Sequence, residues 1–167
     1  MPEKETLERA HEDEREGKAP STQAGEFVKE EMDHIREGKH GARSTKQAIA
    51  IGLSKARRAG VKLAPPKKGS ARTRAQAKRD YSKGQSGSRR KTSAKRSQAT
   101  ERALKREGRS AASHKALSRQ ARGAAKKRSA ASRHNAAVKA SRTKGSAGRK
   151  KAAQKAARTR SSRRKAA

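Results

Sequence analysis

Large apolar side chains are concentrated in one short part of this chain. Phe27, Val28, Met32, Ile35, Ile49, Ile51, Leu53, Val61 and Leu63 all fall between residues 24 and 63. Val28, Met32 and Ile35 recur at i, i+4 and i+7, which is one face of a helix, and Phe27 widens that stripe. Ser21 or Thr22 is the expected cap at its start, Glu26 suits its first turn, and Gly38 sits where a C′ glycine belongs. A second helix is signalled more strongly. Ser44-Thr45-Lys46-Gln47 fits a capping box, and Ile49, Leu53 and Ala56 follow at helical spacing. Lys55, Arg57 and Arg58 occupy its last turn, Gly60 supplies a left-handed stop, and Val61 is placed to pack back. Pro65-Pro66 closes the block. The short connection from Lys39 to Arg43 predicts a helical hairpin.

On either side the pattern fades. Residues 1–23 are charged, with Leu7 the only large apolar residue after Met1. Residues 108–167 hold only Leu117 and Val138. Ala, Lys, Arg and Gln favour helix there, but like charges at i, i+4 oppose it. Glycines punctuate the stretch, and Ser97 to Glu107 is the one piece with an internal Glu101–Lys105 pair. The predicted fold class is therefore mostly disordered with α-helical segments. An acidic disordered or frayed-helix head spans 1–23, a small helical hairpin 24–63, and a basic low-complexity disordered arm with latent helices 64–167. Two helices make a marginal core. The wide Ile49–Leu53 face adds an expectation that the hairpin self-associates or takes a protein partner.

Charge changes the picture from fold to function. The 167 residues carry a net +33, distributed as −6 over 1–37, +19 over 38–107 and +20 over 108–167. The last sixty residues contain twenty Lys or Arg and no Asp or Glu. Such a segment suits a polyanion, and nucleic acid is the commonest long one. With one Phe, one Tyr and no Trp, base stacking is poorly supplied, so duplex DNA is favoured over RNA and backbone contact over sequence readout. The candidate phosphate contacts are Arg57, Arg58, Lys67, Lys68, Arg72, Arg74, Lys78, Arg79, Arg89, Arg90, Lys91, Lys126, Lys127, Arg128, Arg149, Lys150, Lys151, Arg158, Arg160, Arg163, Arg164 and Lys165. Phe27, Val28, Met32, Ile35, Ile49, Ile51 and Leu53 are the candidate packing or assembly residues. The acidic head is a candidate internal competitor for the tail.

Little else in the chain suggests chemistry. It has no cysteine and no apolar run near eighteen residues, and its N-terminus lacks the apolar stretch of a secretory signal. A cytoplasmic, nucleoid location is the expectation. Of the five histidines, His34 and His40 flank the end of the first helix beside Glu37, too few groups for an expected metal site. Glu30, Glu31, Asp33 and Glu37 are expected to face solvent, because the same period buries Val28, Met32 and Ile35. No cofactor and no enzymatic activity are expected.

Glu26 to Leu63 resembles a family of small, uncharacterised bacterial proteins. That family carries a motif close to Gln-Ala-Ile-Ala-Ile-Ala-Leu-Ser after a basic, glycine-containing loop. Here the stretch reads Lys46-Gln47-Ala48-Ile49-Ala50-Ile51-Gly52-Leu53-Ser54. Gly52 replaces the usual Ala, which implies either a close helix contact or a weaker helix. The resemblance implies a domain of unknown function, loosely labelled DNA-binding or plasmid-stabilising, with no catalytic residues. The tail is similar to the Lys/Ala-rich arms of linker histones and bacterial histone-like proteins, but has no proline after Pro66. The functional expectation is a histone-like, nucleoid-associated protein that binds DNA without sequence preference and compacts or bridges it. The alternatives are an RNA- or ribosome-associated basic protein, and a protein-interaction hairpin tethered to nucleic acid by its tail.

Overall fold

Ala, Lys, Arg, Gln and Glu, all good helix formers, dominate both flanks of the apolar window, and both flanks are helical. The structure, a computed structural model, describes residues 2–86 and 93–165. Its elements are α1 (Lys4–Arg15), α2 (Pro20–Glu37), α3 (Thr45–Arg58), α4 (Ala71–Gln85), α5 (Ala94–Lys105), a 3-10 turn at Ser110–Ala112, α6 (His114–Lys126) and α7 (Ala130–Lys165). Most of the described residues are helical, so the expectation of a mostly disordered protein is overturned. The chain divides into two units, Met1–Gln120 and Ala121–Ala167.

The physical reason for the correction lies in the first unit's core. Beside Phe27, Met32, Ile35 and Val61, the buried apolar residues are Ala10, Ala24, Ala42, Ala48, Ala56, Ala77, Ala111 and Ala112. Alanine costs almost no side-chain entropy to bury and lets helix axes approach closely. Large apolar residues alone therefore understate what this chain buries. One cluster joins Met32, Ile35, Ala42, Ala48, Ala111 and Ala112, with Val28, Ile49 and Leu117 against it. A second joins Ala10, Ala24, Phe27, Ala56 and Val61, with Leu7, Leu53, Ala59 and Leu63 against it.

The hairpin is present, and its local signals hold at most ends. Gly38 ends α2 in the left-handed region at φ 81°. Ser44 caps α3 by accepting the Gln47 backbone N–H at 3.2 Å. The Gln47 side chain in turn accepts the Arg43 N–H at 2.9 Å. Gly60 takes φ 103°, and the Val61 N–H donates back to the Ala56 carbonyl at 3.1 Å. The start of α2 differs from expectation. It begins at Pro20, whose fixed φ suits the first helical position, rather than behind a Ser21 or Thr22 cap.

Helices outside the hairpin complete it. The head is not frayed. α1 packs on α2, burying Thr6, Ala10 and Asp13. On the other side α4 packs on α3, burying Ala77 and Asp80. The Asp80 carboxylate accepts from the Ser54 hydroxyl at 2.8 Å and the Gln76 amide at 3.0 Å. The segment from Leu104 to Ala112 closes over the α2–α3 loop. The Gly41 and Ala42 N–H groups donate to the Leu104 and Gly108 carbonyls at 2.9 and 3.1 Å. The Thr45 hydroxyl and Arg36 Nε donate to the Ala111 and Ala112 carbonyls at 2.7 and 3.1 Å. On α3, Ala48, Gly52 and Ala56 are buried against these neighbours, while Ile49, Ile51 and Leu53 are half-buried and Ala50 is exposed.

In the second unit α7 is broken at Gly145, which holds φ 61° and ψ −178°. From Lys151 to Ser162 every residue is exposed. A helix polar all round, held by no core of its own, displays its charges on every side.

Candidate functional site

The strongest functional feature is the distribution of cations, most of them on helices and a few, Lys67, Lys68, Lys127 and Arg128, in the connections between them. Residues 121–167 carry seventeen Lys or Arg and no acid. Lys126, Lys127, Arg128, Arg149, Lys150, Lys151, Arg158 and Arg160 are all exposed. In the first unit, Arg58, Lys67, Lys68, Arg72, Arg74, Lys78 and Arg79 are exposed as well. The last four lie on α4, whose Ala77 and Asp80 face α3 and leave the bases on the outer side. Arg89, Arg90 and Lys91 lie outside the described residues. So do the side chains of Arg163, Arg164 and Lys165, at the end of α7.

Arg57 does not belong with these. It is 8% exposed and serves the fold. Its Nε donates to the Leu63 carbonyl at 3.2 Å and its Nη2 to the Ala64 carbonyl at 3.4 Å, tying α3 to the chain that leaves it. Burial lowers its pKa from the ordinary value, and the charge of Asp80 opposes that shift. Spacing along the last turn of α3 could not separate Arg57 from its neighbour. The outcome depends on α4, which covers one side of that turn.

Several acids of the head pair with bases of the first unit. Arg9 Nε of α1 donates to Glu26 of α2 at 2.7 Å, which holds the Arg9 pKa above its ordinary value. Lys62 pairs with Glu14 at 3.3 Å, and Lys18 with Asp13 and Glu16 at 2.7 Å each. Glu3 meets His34 Nε2 at 2.8 Å and Lys39 Nζ at 3.0 Å. Those two bonds, with the Lys39 charge, lower its pKa to about 2.

A second constellation appears where α2 ends. Glu30 and Glu31 were expected to face solvent, yet they are 4% and 0% exposed. The correction follows from topology: α1 and α3 both pack on α2, so more than one stripe of it is buried. Lys55 Nζ of α3 lies 2.6 Å from Glu31 Oε2 and 3.4 Å from Glu30 Oε1. His40 Nε2 lies 3.3 Å from Glu31 Oε1. The two imidazoles meet edge to face with centroids 5.9 Å apart. The sequence offered no reason to expect a site here, yet His34 and His40 converge, on Glu31 rather than Glu37, whose partner is Lys39 at 3.1 Å.

Among the described residues no helix is long and apolar enough to cross a membrane. No curated protein and no solved structure matches the chain. Residues 19–68, which span α2, α3 and the loop between them, match the profile of a family of unknown function, DUF6496.

Proposed function

We propose that this protein binds duplex nucleic acid, DNA in preference to RNA, through phosphate contacts without sequence readout. In this reading it works as a histone-like, nucleoid-associated protein. One observation carries the proposal: exposed cations between Lys126 and Arg160, most of them helical, stand in a stretch of chain that contains no acid. A duplex carries one charge per ~1.7 Å of axis, and its major groove is wide enough to admit a helix. A helical run of about twenty residues, such as the part of α7 beyond Gly145, is roughly 30 Å long, close to one duplex turn. Bases placed all round such a helix reach phosphates whichever way it lies. That favours contact without register, and lets one helix touch two duplexes. The single Tyr and single Phe offer little for stacking on unpaired bases; Phe27 is buried and Tyr81 sits on α4.

The test is binding of the full chain to two unrelated duplexes and to a structured RNA across a salt series. Equal affinity for both duplexes, a steep linear log–log slope and weaker RNA binding are expected. A shallow slope, or a marked preference for one duplex, would overturn the reading. Tighter binding to the RNA would move the protein to the ribosome- or RNA-associated class.

A further inference from the structure

The carboxylate–imidazole cluster at the end of α2 is independent of the nucleic-acid reading, and its geometry is that of a ligand set. Glu31 and His34 stand one turn apart on α2, which puts them on one side of the helix. His40 comes from the following loop. Gly38, in the left-handed region, turns the chain out of the helix, and the Leu104 and Gly108 carbonyls hold the Gly41 and Ala42 N–H groups. The loop is therefore pinned with its imidazole over Glu31. His40 Nδ1 is 3.1 Å from the Gly41 carbonyl. A proton on that nitrogen, donated to the carbonyl, leaves Nε2 with a lone pair aimed at the cluster. This is the outer-shell arrangement that orients a metal-binding histidine.

Glu31 supplies the second, separate observation. Its side chain is fully buried, and neither carboxylate oxygen accepts a well-aligned hydrogen bond. Its contact with Lys55 at 2.6 Å is a charge contact outside hydrogen-bond geometry. Glu30, next in sequence, is buried too, so one lysine serves two buried carboxylates. A buried ion pair offsets its desolvation only where further hydrogen bonds satisfy the carboxylate's remaining lone pairs, and Glu31 has none. One nitrogen from each imidazole and one Glu31 oxygen lie within 4.8 Å of one another. Ligands of a tetrahedral zinc, bound at about 2.1 Å, stand about 3.4 Å apart, so the three atoms need to draw together by no more than about 1.4 Å, and an ion taking His34 Nε2 displaces Glu3, 2.8 Å away.

We propose that Glu31, His34 and His40 bind one divalent first-row transition-metal ion of the zinc class. Two imidazoles and one carboxylate favour such an ion over magnesium or calcium, which take oxygen. The fourth position is left to water. When the ion takes Glu31, Lys55 remains on Glu30. The ion then fastens the α2–α3 loop to α2, and with it the carbonyls of residues 104–108 that grip the same loop.

The experiment uses the full chain, stripped with chelator. Co2+ is titrated by visible absorption, Zn2+ by calorimetry, and Mg2+ serves as the control ion. One Co2+ per chain, displaced by Zn2+ and indifferent to Mg2+, is expected. Glu31→Gln and His40→Ala should each weaken binding by at least the roughly 10- to 100-fold that loss of an outer-shell partner costs. In the wild-type chain, Zn2+ should shift the imidazole resonances of His34 and His40 and leave those of His11, His114 and His134 in place. That map decides the matter even if a variant fails to fold. Absence of saturable binding, resonance shifts at the other histidines, or unchanged affinity in a folded His40→Ala chain would each overturn the proposal.

Discussion

Gly52 shows how one residue can reverse the ordinary rule for helices. A glycine inside a helix costs up to about 1 kcal/mol against alanine. Yet a Cβ at position 52 would stand 2.7 Å from the Val28 Cα and 3.0 Å from the Phe27 carbonyl oxygen. The glycine is what lets α3 cross α2 backbone to backbone. Gly52→Ala should therefore destabilise the protein, by about 1–3 kcal/mol in urea unfolding, as overpacking does. A gain in stability would show that the two helices are not held at this distance. Arg57 and Arg58 make the complementary case, since neighbours in sequence have different duties. Arg57→Met removes hydrogen bonds to two carbonyls and should cost about 1–3 kcal/mol of stability. It should leave the salt slope of DNA binding alone. Arg58→Met, at an exposed site, should leave stability alone and reduce that slope by about 0.9 if it contacts a phosphate. Urea titration and a salt series on the same two variants separate the roles.

Between elements, the contact most open to test is the strand of chain from Leu104 to Ala112, laid across the α2–α3 loop. Thr45→Val keeps the shape of the side chain but removes the donor that the Ala111 carbonyl accepts at 2.7 Å. About 1 kcal/mol of stability should go, and trypsin should cut after Lys105, Arg106 or Arg109 several times faster than in the wild-type chain. Unchanged cleavage would mean that the segment is held by Ala111 and Ala112 in the core rather than by this bond. The same contact marks where sequence reading runs out. Ends of helices were legible wherever one or two residues decide them: Ser44, Gly38 and Gly60 act through their own backbone and its nearest neighbours. The Val28–Met32–Ile35 stripe was legible because burial of large side chains leaves a period. The helices around the hairpin were not, because their buried residues are largely Ala10, Ala77, Ala111 and Ala112. In a chain this rich in alanine, a buried alanine looks the same as an exposed one. Glu30 and Glu31 were misplaced for a related reason: a period on one helix cannot tell how many neighbours that helix has. The cluster of Glu31, His34 and His40 needs the loop to fold back, which depends on carbonyls more than sixty residues further along.

For the whole molecule, the segregation of charge matters more than the net value of +33. The first 120 residues hold thirty-one bases and all fifteen acids, and the remaining forty-seven hold seventeen bases and none. In the first unit many bases already have carboxylate partners: Lys18 with Asp13 and Glu16, Lys39 with Glu3 and Glu37, Lys62 with Glu14. A phosphate that takes such a lysine must displace a partner, so little counterion release is gained. A base in the second unit has no acid within its own stretch to give up. Two full-length variants with comparable losses of charge should then behave differently. Replacing Lys126, Lys127 and Lys150 with Gln should flatten the log–log salt slope for duplex DNA by about 2 to 3 if all three contact phosphate. Replacing Lys18, Lys39 and Lys62 with Gln should change it by less than about 1, and should lower stability instead because three ion-paired sites lose their cation. Equal slopes in the two variants would mean that duplex binding draws on net charge alone, wherever it is carried. A larger effect from the second variant would move the binding surface to α1–α3, and to the residues 19–68 that match the family of unknown function.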